Sequence, residues 1–122
     1  MSKKIKPVNV EIAGKQKQLR FDFNAMVAFE ELMGYGLYMA LQDGQIGFRT
    51  IRAFYWAGLR WKDKGLTPDR VGMMLSDEIA DGKDLLELMD PINEALEASG
   101  VLGNMDEDDE DEAEDEDEAK NA

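Results

Sequence analysis

The stretch from Phe48 to Gly72, FRTIRAFYWAGLRWKDKGLTPDRVG, holds both tryptophans of the chain and predicts its central helix. At helical spacing, its large apolar residues share one side, as expected of a helix that packs on a hydrophobic core. The residues on this side are Phe48, Ile51, Phe54, Tyr55, Gly58, Leu59 and Trp61. We therefore expect the other elements of the domain to pack around this helix.

A second face of the same helix combines one aromatic side chain with three cations, Arg49, Arg52, Trp56 and Arg60. Trp and Arg are common anchors of protein interfaces, so these four residues are the predicted partner-binding site. On this hypothesis, Trp56→Ala weakens a protein contact more than it weakens folding. Phosphate contacts and base stacking are a second alternative, disfavoured by the net charge of −13. In a third, Trp56 packs under a neighbouring helix and the arginines extend to solvent.

The end of this helix and the start of the next are both marked in the sequence. Lys62 and Lys64 suit the negative end of the helix dipole, and Gly65 allows a left-handed cap. Thr67-Pro68-Asp69 then supplies a capping side chain, a favoured first helical residue and an acid for the positive end. The pattern predicts a second helix from Pro68 to Ile79.

The N-terminal segment alternates apolar and polar residues and predicts a β-hairpin. Residues 6–12 place Val8, Val10 and Ile12 on one face, and residues 13–15 form the turn. Residues 16–23 resume the alternation, with Leu19, Phe21 and Phe23 facing inward. Two strands alone are marginal in water, so helices must cover this face.

Three further helices follow from the apolar spacing. Asn24 is the predicted N-cap of a helix that ends at Gly34, with an inner stripe of Ala25, Ala28, Phe29 and Leu32. Residues 35–41 form a short helix or a turn, which ends at Asp43-Gly44. The last helical segment, residues 83–99, contains Pro91, which predicts a kink or a break into two helices. The fold class is therefore α+β, mostly α, with the hairpin packed on a small bundle of four to five helices.

Charge divides the chain into two parts. Residues 106–122 carry 12 acids and one lysine, whereas residues 1–105 carry 15 acids and 13 bases. A segment of such charge density repels itself and has nothing to bury. We therefore expect a folded domain over residues 1–104 and a disordered acidic tail over residues 105–122.

The composition argues against most kinds of catalysis. The chain has no Cys and no His, which excludes disulfides, the usual zinc sites and His-based proton transfer. No phosphate-binding loop is present, and the acidic pairs Glu30-Glu31 and Asp77-Glu78 are interpreted as solvated faces. We expect no enzyme activity, metal or cofactor. Without an apolar run of membrane-spanning length or a signal peptide, a soluble cytoplasmic protein is the simplest interpretation.

The order of these motifs resembles that of the phage tail assembly chaperones, in the branch shared by siphophages and gene transfer agents. The resemblance covers about residues 8–100, with Phe29 in place of the family's Leu and the acidic tail outside it. The matching positions are Leu19-Arg20-Phe21, Phe29-Glu30-Glu31-Leu32-Met33-Gly34, Ile51 to Leu59, Leu66-Thr67, Val71-Gly72 and Ala95-Leu96.

This resemblance implies a non-catalytic protein of the bacterial host cytoplasm, absent from the mature virion. Such chaperones coat the aggregation-prone tape measure protein, recruit tail tube subunits and can form homo-oligomers. They are often made in a short and a frameshifted, extended form. Ala119-Lys120-Asn121 permits a slippery codon run, so we hypothesise that this chain is the short product; the alternative is an ordinary polar end.

Two other functional classes stay open. One is an acidic nucleic-acid mimic or inhibitor acting through residues 106–122, whose deletion would then abolish partner binding. The other is an enzyme that uses only Asp, Glu and Lys, which would need a deep cleft with converging carboxylates.

Overall fold

The computed structural model describes residues 5–42 and 46–103 as an antiparallel hairpin followed by five helices. The elements are β1 (Val8–Ile12), β2 (Lys15–Leu19), α1 (Phe23–Met33), α2 (Leu37–Gln42), α3 (Phe48–Leu59), α4 (Pro68–Ala80) and α5 (Leu85–Ser99). This architecture confirms the predicted α+β, mostly α fold. The predicted acidic tail and the predicted helix end at Asp43-Gly44 lie outside the described residues.

The predicted hairpin is present, but it is shorter than expected, and the predicted turn is wrong at Lys15, which is the first residue of β2. Val8 pairs with Leu19 and Ile12 with Lys15, across a two-residue turn in which Ala13 and Gly14 both have positive φ (53° and 75°). Positive φ at both positions matches the right-handed twist of the strands. Ile12 and Leu19 are fully buried, so one face of the hairpin lies on the helices as predicted.

The chain leaves the hairpin after Leu19 because the backbone N–H of Arg20 donates to the carbonyl of Gly58 in α3, at 2.9 Å. Phe21 is still buried, but Phe23 is 81% exposed, so its predicted place on the inner face is wrong. Phe23 is instead the first residue of α1. The strand pattern ends where the backbone turns to meet α3.

Helix α1 begins two residues earlier than predicted. Its N-cap is Asp22, whose Oδ1 accepts from the N–H of Ala25 at 2.8 Å, so the assignment of Asn24 as the cap is wrong. The predicted end at Gly34, in the left-handed region with φ 88°, is confirmed. The buried face includes Met26 and Met33 but leaves Leu32 exposed, contrary to the predicted stripe.

Helix α3 is the centre of the domain, as its sequence predicts. It contacts α1, α4, α5 and β2, and it is buried on more sides than the predicted stripe, including Ala53 and Ala57. Phe54 stacks on Phe29 of α1 with ring centroids 4.2 Å apart and meets Phe21 edge-on at 5.9 Å. The stripe is wrong at its ends, because Phe48 is 74% exposed and Trp61 lies in the turn after α3.

The last two helices confirm most of the predicted signals. Thr67 caps α4 through a bond from the N–H of Arg70, and Asp84 caps α5 in a reciprocal pair with Glu87. Helix α4 ends at Ala80, one residue beyond the predicted end, and Ile79 is 42% exposed. Helix α5 continues through Pro91 as one element, and the predicted break is wrong. The apolar positions before and after Pro91 pack on the same core, which holds the two halves together.

Gly58 is the position at which α3 and the hairpin approach most closely. A Cβ atom there would lie 2.8 Å from Leu19 Cδ2 and 2.9 Å from Phe21 Cε1. Gly→Ala within a helix ordinarily stabilises it, but here the clash with two buried side chains dominates. We expect Gly58→Ala to lower the free energy of unfolding by about 1–3 kcal/mol in urea titrations.

Gly65→Ala is the matched control, because a Cβ atom at Gly65 meets nothing within 4 Å. Its effect should stay within about 0.5 kcal/mol. Equal stability of the Gly58→Ala protein and the wild type would contradict the close packing of α3 on the hairpin.

Candidate functional site

The predicted partner-binding residues lie along one side of α3, between α1 and α4. Arg49 Nη2 donates to the carbonyl of Met33 at the end of α1, at 3.1 Å. Arg52 Nη1 reaches the other way, to Asp69 Oδ1 of α4 at 3.6 Å. The structure therefore brings the predicted arginines onto one surface, but it engages these two with different neighbouring helices.

Trp56, the aromatic residue of this surface, is half-buried and packs against the core. Its Nε1–H donates to the carbonyl of Leu66 at 3.0 Å, and the guanidinium of Arg60 lies 5.0 Å from its ring. These contacts correspond to the third alternative, in which Trp56 packs under neighbouring backbone and arginine covers it. The side chains of Arg49 and Arg60, near Trp56, are exposed and remain accessible to a partner.

An open apolar groove of about 540 Å³ lies beside this surface, between α3, α4 and the start of α5. Its walls come from Phe48 and Ile51 of α3, Leu75 and Ile79 of α4, and Leu85 and Leu88 of α5. Gly72, Ser76 and Ala80, one helical turn apart on α4, add small side chains to its lining. The groove therefore presents apolar side chains above small residues, which suits the close approach of an apolar partner segment.

Arg52 connects the groove with the predicted binding surface. It lines the groove, and its Cδ lies 3.4 Å from where a Cβ atom on Gly72 would stand. Its charged end is held at the rim by Asp69. The groove was not predicted, because the spacing of apolar residues on α3 assigns Phe48 to the core. The four-residue spacing of small residues on α4 was the available signal.

Glu78 was predicted to lie on a solvated face, and this prediction is wrong. It is only 6% exposed, and it accepts from the N–H of Ala13 in the hairpin turn and from Lys83 Nζ, both at 2.7 Å. The hydrogen bond from Lys83 lowers the pKa of Glu78 most, the one from Ala13 lowers it further, and burial opposes both. The same bond to Glu78 raises the pKa of Lys83. This ionised pair joins the hairpin turn to the end of α4.

Two other polar side chains also have structural partners. Glu30, likewise predicted as solvated, accepts from the N–H of Leu37 at 2.8 Å and so satisfies the first turn of α2. The hydroxyl of Tyr55 donates to the carbonyl of Leu88 at 2.7 Å. Burial raises the pKa of Tyr55, and the charges of Glu78 and Asp90 raise it further. Tyr55 is therefore a neutral donor that ties α3 to α5.

Over residues 5–42 and 46–103, no three acidic side chains are grouped so that they could hold a metal ion. None of the helices in that part of the chain is both long and apolar enough to cross a bilayer. Comparison of the chain with models of known protein families found no match, and comparisons with curated proteins and with solved structures found none either.

Trp56 gives a direct test of the alternatives for the predicted surface. Trp56→Phe removes the bond to the Leu66 carbonyl and part of the ring that packs on the core, and it should cost about 1–2 kcal/mol of unfolding free energy. Trp56→Ala removes a half-buried ring and should cost about 2–3 kcal/mol in urea titrations, less than a fully buried Trp. Arg60→Ala is the control and should cost less than about 1 kcal/mol. If Trp56→Ala lowers the free energy of unfolding by less than Arg60→Ala does, the result supports the hypothesis that Trp56 is an interface residue.

Glu78→Gln should lower stability by about 1–3 kcal/mol at neutral pH, because it removes the charge that binds Lys83. The pKa of Glu78 in the folded state lies below its ordinary value of 4.5, so its stabilisation is present above that pH. The stabilisation is lost as the pH falls through the folded pKa, and the gap between wild type and Glu78→Gln should then close. Urea titrations across this range measure the gap.

Glu94→Gln, which changes an exposed carboxylate of α5, is the matched control and should leave stability at neutral pH nearly unchanged. Equal stability of wild type and Glu78→Gln at neutral pH would contradict the assigned role of the ion pair. So would a difference in unfolding free energy between the two proteins that grows as the pH falls.

Proposed function

We propose that this protein is a phage tail assembly chaperone that binds the tape measure protein and helps to recruit tail tube subunits during tail assembly. The observation that carries the proposal is the open apolar groove between α3, α4 and α5. The order of sequence motifs that resembles this family supports it independently. On this proposal the protein acts in the cytoplasm of the bacterial host, without catalysis, and is left out of the finished virion.

The groove fits a client that exposes apolar side chains before assembly. Phe48 and Ile79 already stand partly in water, so a bound segment that covers them gains hydrophobic free energy with little rearrangement. The small residues on the lining of α4 let a helix or an extended segment come close to the backbone. Helix-in-groove binding of this kind needs apolar anchors on the client at helical spacing.

The predicted surface of Arg49, Arg52, Trp56 and Arg60 extends the groove along α3. Arg52 lines the groove with its stem and places its charge at the rim, so acidic residues that flank the apolar anchors of a client meet cations there. Charges at a rim contribute mainly to association rate and to partner selection. We assign affinity for the tape measure protein to the groove and orientation of the bound segment to the arginines.

Phe48→Asp is the sharpest test of this function, because Phe48 is exposed and an acid is favourable at the first position of a helix. In cells that co-express the tape measure protein, we expect Phe48→Asp to reduce the tape measure protein co-purified in the soluble fraction by about tenfold or more. Ser76→Trp, which fills the groove from its exposed α4 side, should have the same effect.

Phe23→Asp is the matched control, since Phe23 is an equally exposed phenylalanine at the first position of α1, outside the groove. It should leave co-purification unchanged, and all three variants should keep the helical circular dichroism of the wild type. Full binding by both Phe48→Asp and Ser76→Trp would sink the proposal for this groove.

A further inference from the structure

One end of the domain collects positive charge from two segments that are distant in sequence. Residues 15–22 and 60–64 together hold six bases and two acids, a net charge of +4. We call this surface the basic end; its cations are Lys15, Lys17, Arg20, Arg60, Lys62 and Lys64. The Trp61 Nε1–H donates to the carbonyl of Gln18 at 3.0 Å, and Lys62 Nζ donates to Gln18 Oε1 at 3.1 Å. These bonds hold the two segments side by side.

The basic end has more cationic groups than its own carboxylates neutralise. Among the described residues, the only ion pairs here are Arg20 with Asp22 and Lys17 with Asp63. The Arg20 guanidinium also lies 4.1 Å from the centre of the Trp61 ring, and its Nε atom is buried without a hydrogen-bond partner among the described residues. The remaining four cations therefore face solvent or the clefts beside them.

Two clefts open between these cations. One, of about 350 Å³, is lined by Lys17 and Lys62 together with Asp63, and the other, of about 230 Å³, by Arg20, Arg60 and Lys64 together with Asp22. Trp61 lines the smaller cleft, and Lys62 Nζ lies 5.6 Å from its ring. Cations therefore outnumber carboxylates in the lining of each cleft, which favours an anionic ligand.

The opposite charge is concentrated at the other end of the sequence. Residues 77–99 hold eight acids and one base, and residues 106–122 hold twelve acids and one base. Six residues separate the acidic segment from the end of α5, which carries charge of the same sign. The basic end is a surface of the same chain with the opposite sign of charge, so its field attracts the segment.

The acidic segment is long enough to reach that surface from any side of the domain. Nineteen residues follow Gly103, and an extended chain covers about 3.3 Å per residue, or roughly 60 Å. A domain of about 100 residues has a radius of gyration of only about 13 Å. Tethering also gives the segment a local concentration in about the millimolar range.

We propose that residues 106–118 bind the basic end of their own chain, lie across the two clefts and cover Trp61. The contact is electrostatic, so it weakens with salt, and any other anionic ligand of the basic end has to displace it. A second copy of this chain, with its acidic residues 77–99, and a nucleic acid strand are the competing occupants.

Zero-length carbodiimide coupling of the full chain, followed by peptide mass spectrometry, tests this contact. We expect carboxylates of residues 106–118 to couple to Lys17, Lys62 and Lys64 and not to Lys83, which lies within the acidic residues 77–99. Replacing Lys62 and Lys64 with Glu should also remove the link to Lys17, whose amine is retained, whereas Lys83→Glu should preserve all three links. Coupling spread evenly over all lysines would overturn the proposal.

A mixture of isotope-labelled and unlabelled chains separates the occupants. Links within one label state support contact within the chain, and links that mix the label states would assign the basic end to a second copy and overturn the proposal.

Nuclear magnetic resonance of the full chain gives a second readout. The Trp61 indole N–H signal should differ between the wild type and a chain in which the acids of residues 106–118 are replaced by Asn and Gln, and about 0.5 M NaCl should abolish the difference. Identical signals at low salt would overturn the proposal. So would a single-stranded DNA oligonucleotide that binds both chains equally well at low salt, since it would find the basic end open in the wild type.

Discussion

The stacking of Phe54 on Phe29, with Phe21 meeting the same ring edge-on, is the contact on which the rest of the fold depends. All three rings are buried to within 1% of their surface, and they come from α3, α1 and the segment after β2. Because the Phe54 ring of α3 contacts both Phe29 and Phe21, α1 and the hairpin have to pack against the same turn of α3. Gly58, one turn after Phe54, leaves the room that this arrangement requires.

Periodicity predicted the fold because most of the apolar side chains in the middle of each element are covered on one face. The hairpin, the five helices and the caps at Gly34 and Thr67 all follow from local spacing and local hydrogen bonding. Errors cluster at element ends, at Phe23 and Phe48. The hydrophobic period of an element continues past the point where its neighbour stops, so it does not say which terminal residue stays in water. The predicted break at Pro91 is wrong because tertiary packing on both sides overrides a local rule.

The candidate site was only half predictable for the same reason. Arg49, Arg52, Trp56 and Arg60 share a face of one helix, and a helical wheel places them together without further information. The groove is made from the beginning of α3, the second half of α4 and the beginning of α5, and no local pattern states that these ends converge. Glu78 shows this most clearly, since its partner Ala13 is 65 positions away. Its neighbour Asp77 is exposed, and nothing in the sequence separates the two acids.

The groove and the basic end lie at opposite ends of α3. Phe48 begins the helix and lines the groove, whereas Arg60 follows its last residue and belongs to the basic end. Twelve helical residues at 1.5 Å each separate the two surfaces by about 18 Å. On the two proposals, an apolar client in the groove and an anionic segment on the basic end therefore share only Arg60, which belongs to the basic end and to the predicted surface that extends the groove. The groove gains its free energy from apolar burial, which salt affects little, while the basic end depends on charge. Ionic strength should consequently open the basic end and leave the groove able to bind, so the two surfaces can be controlled separately.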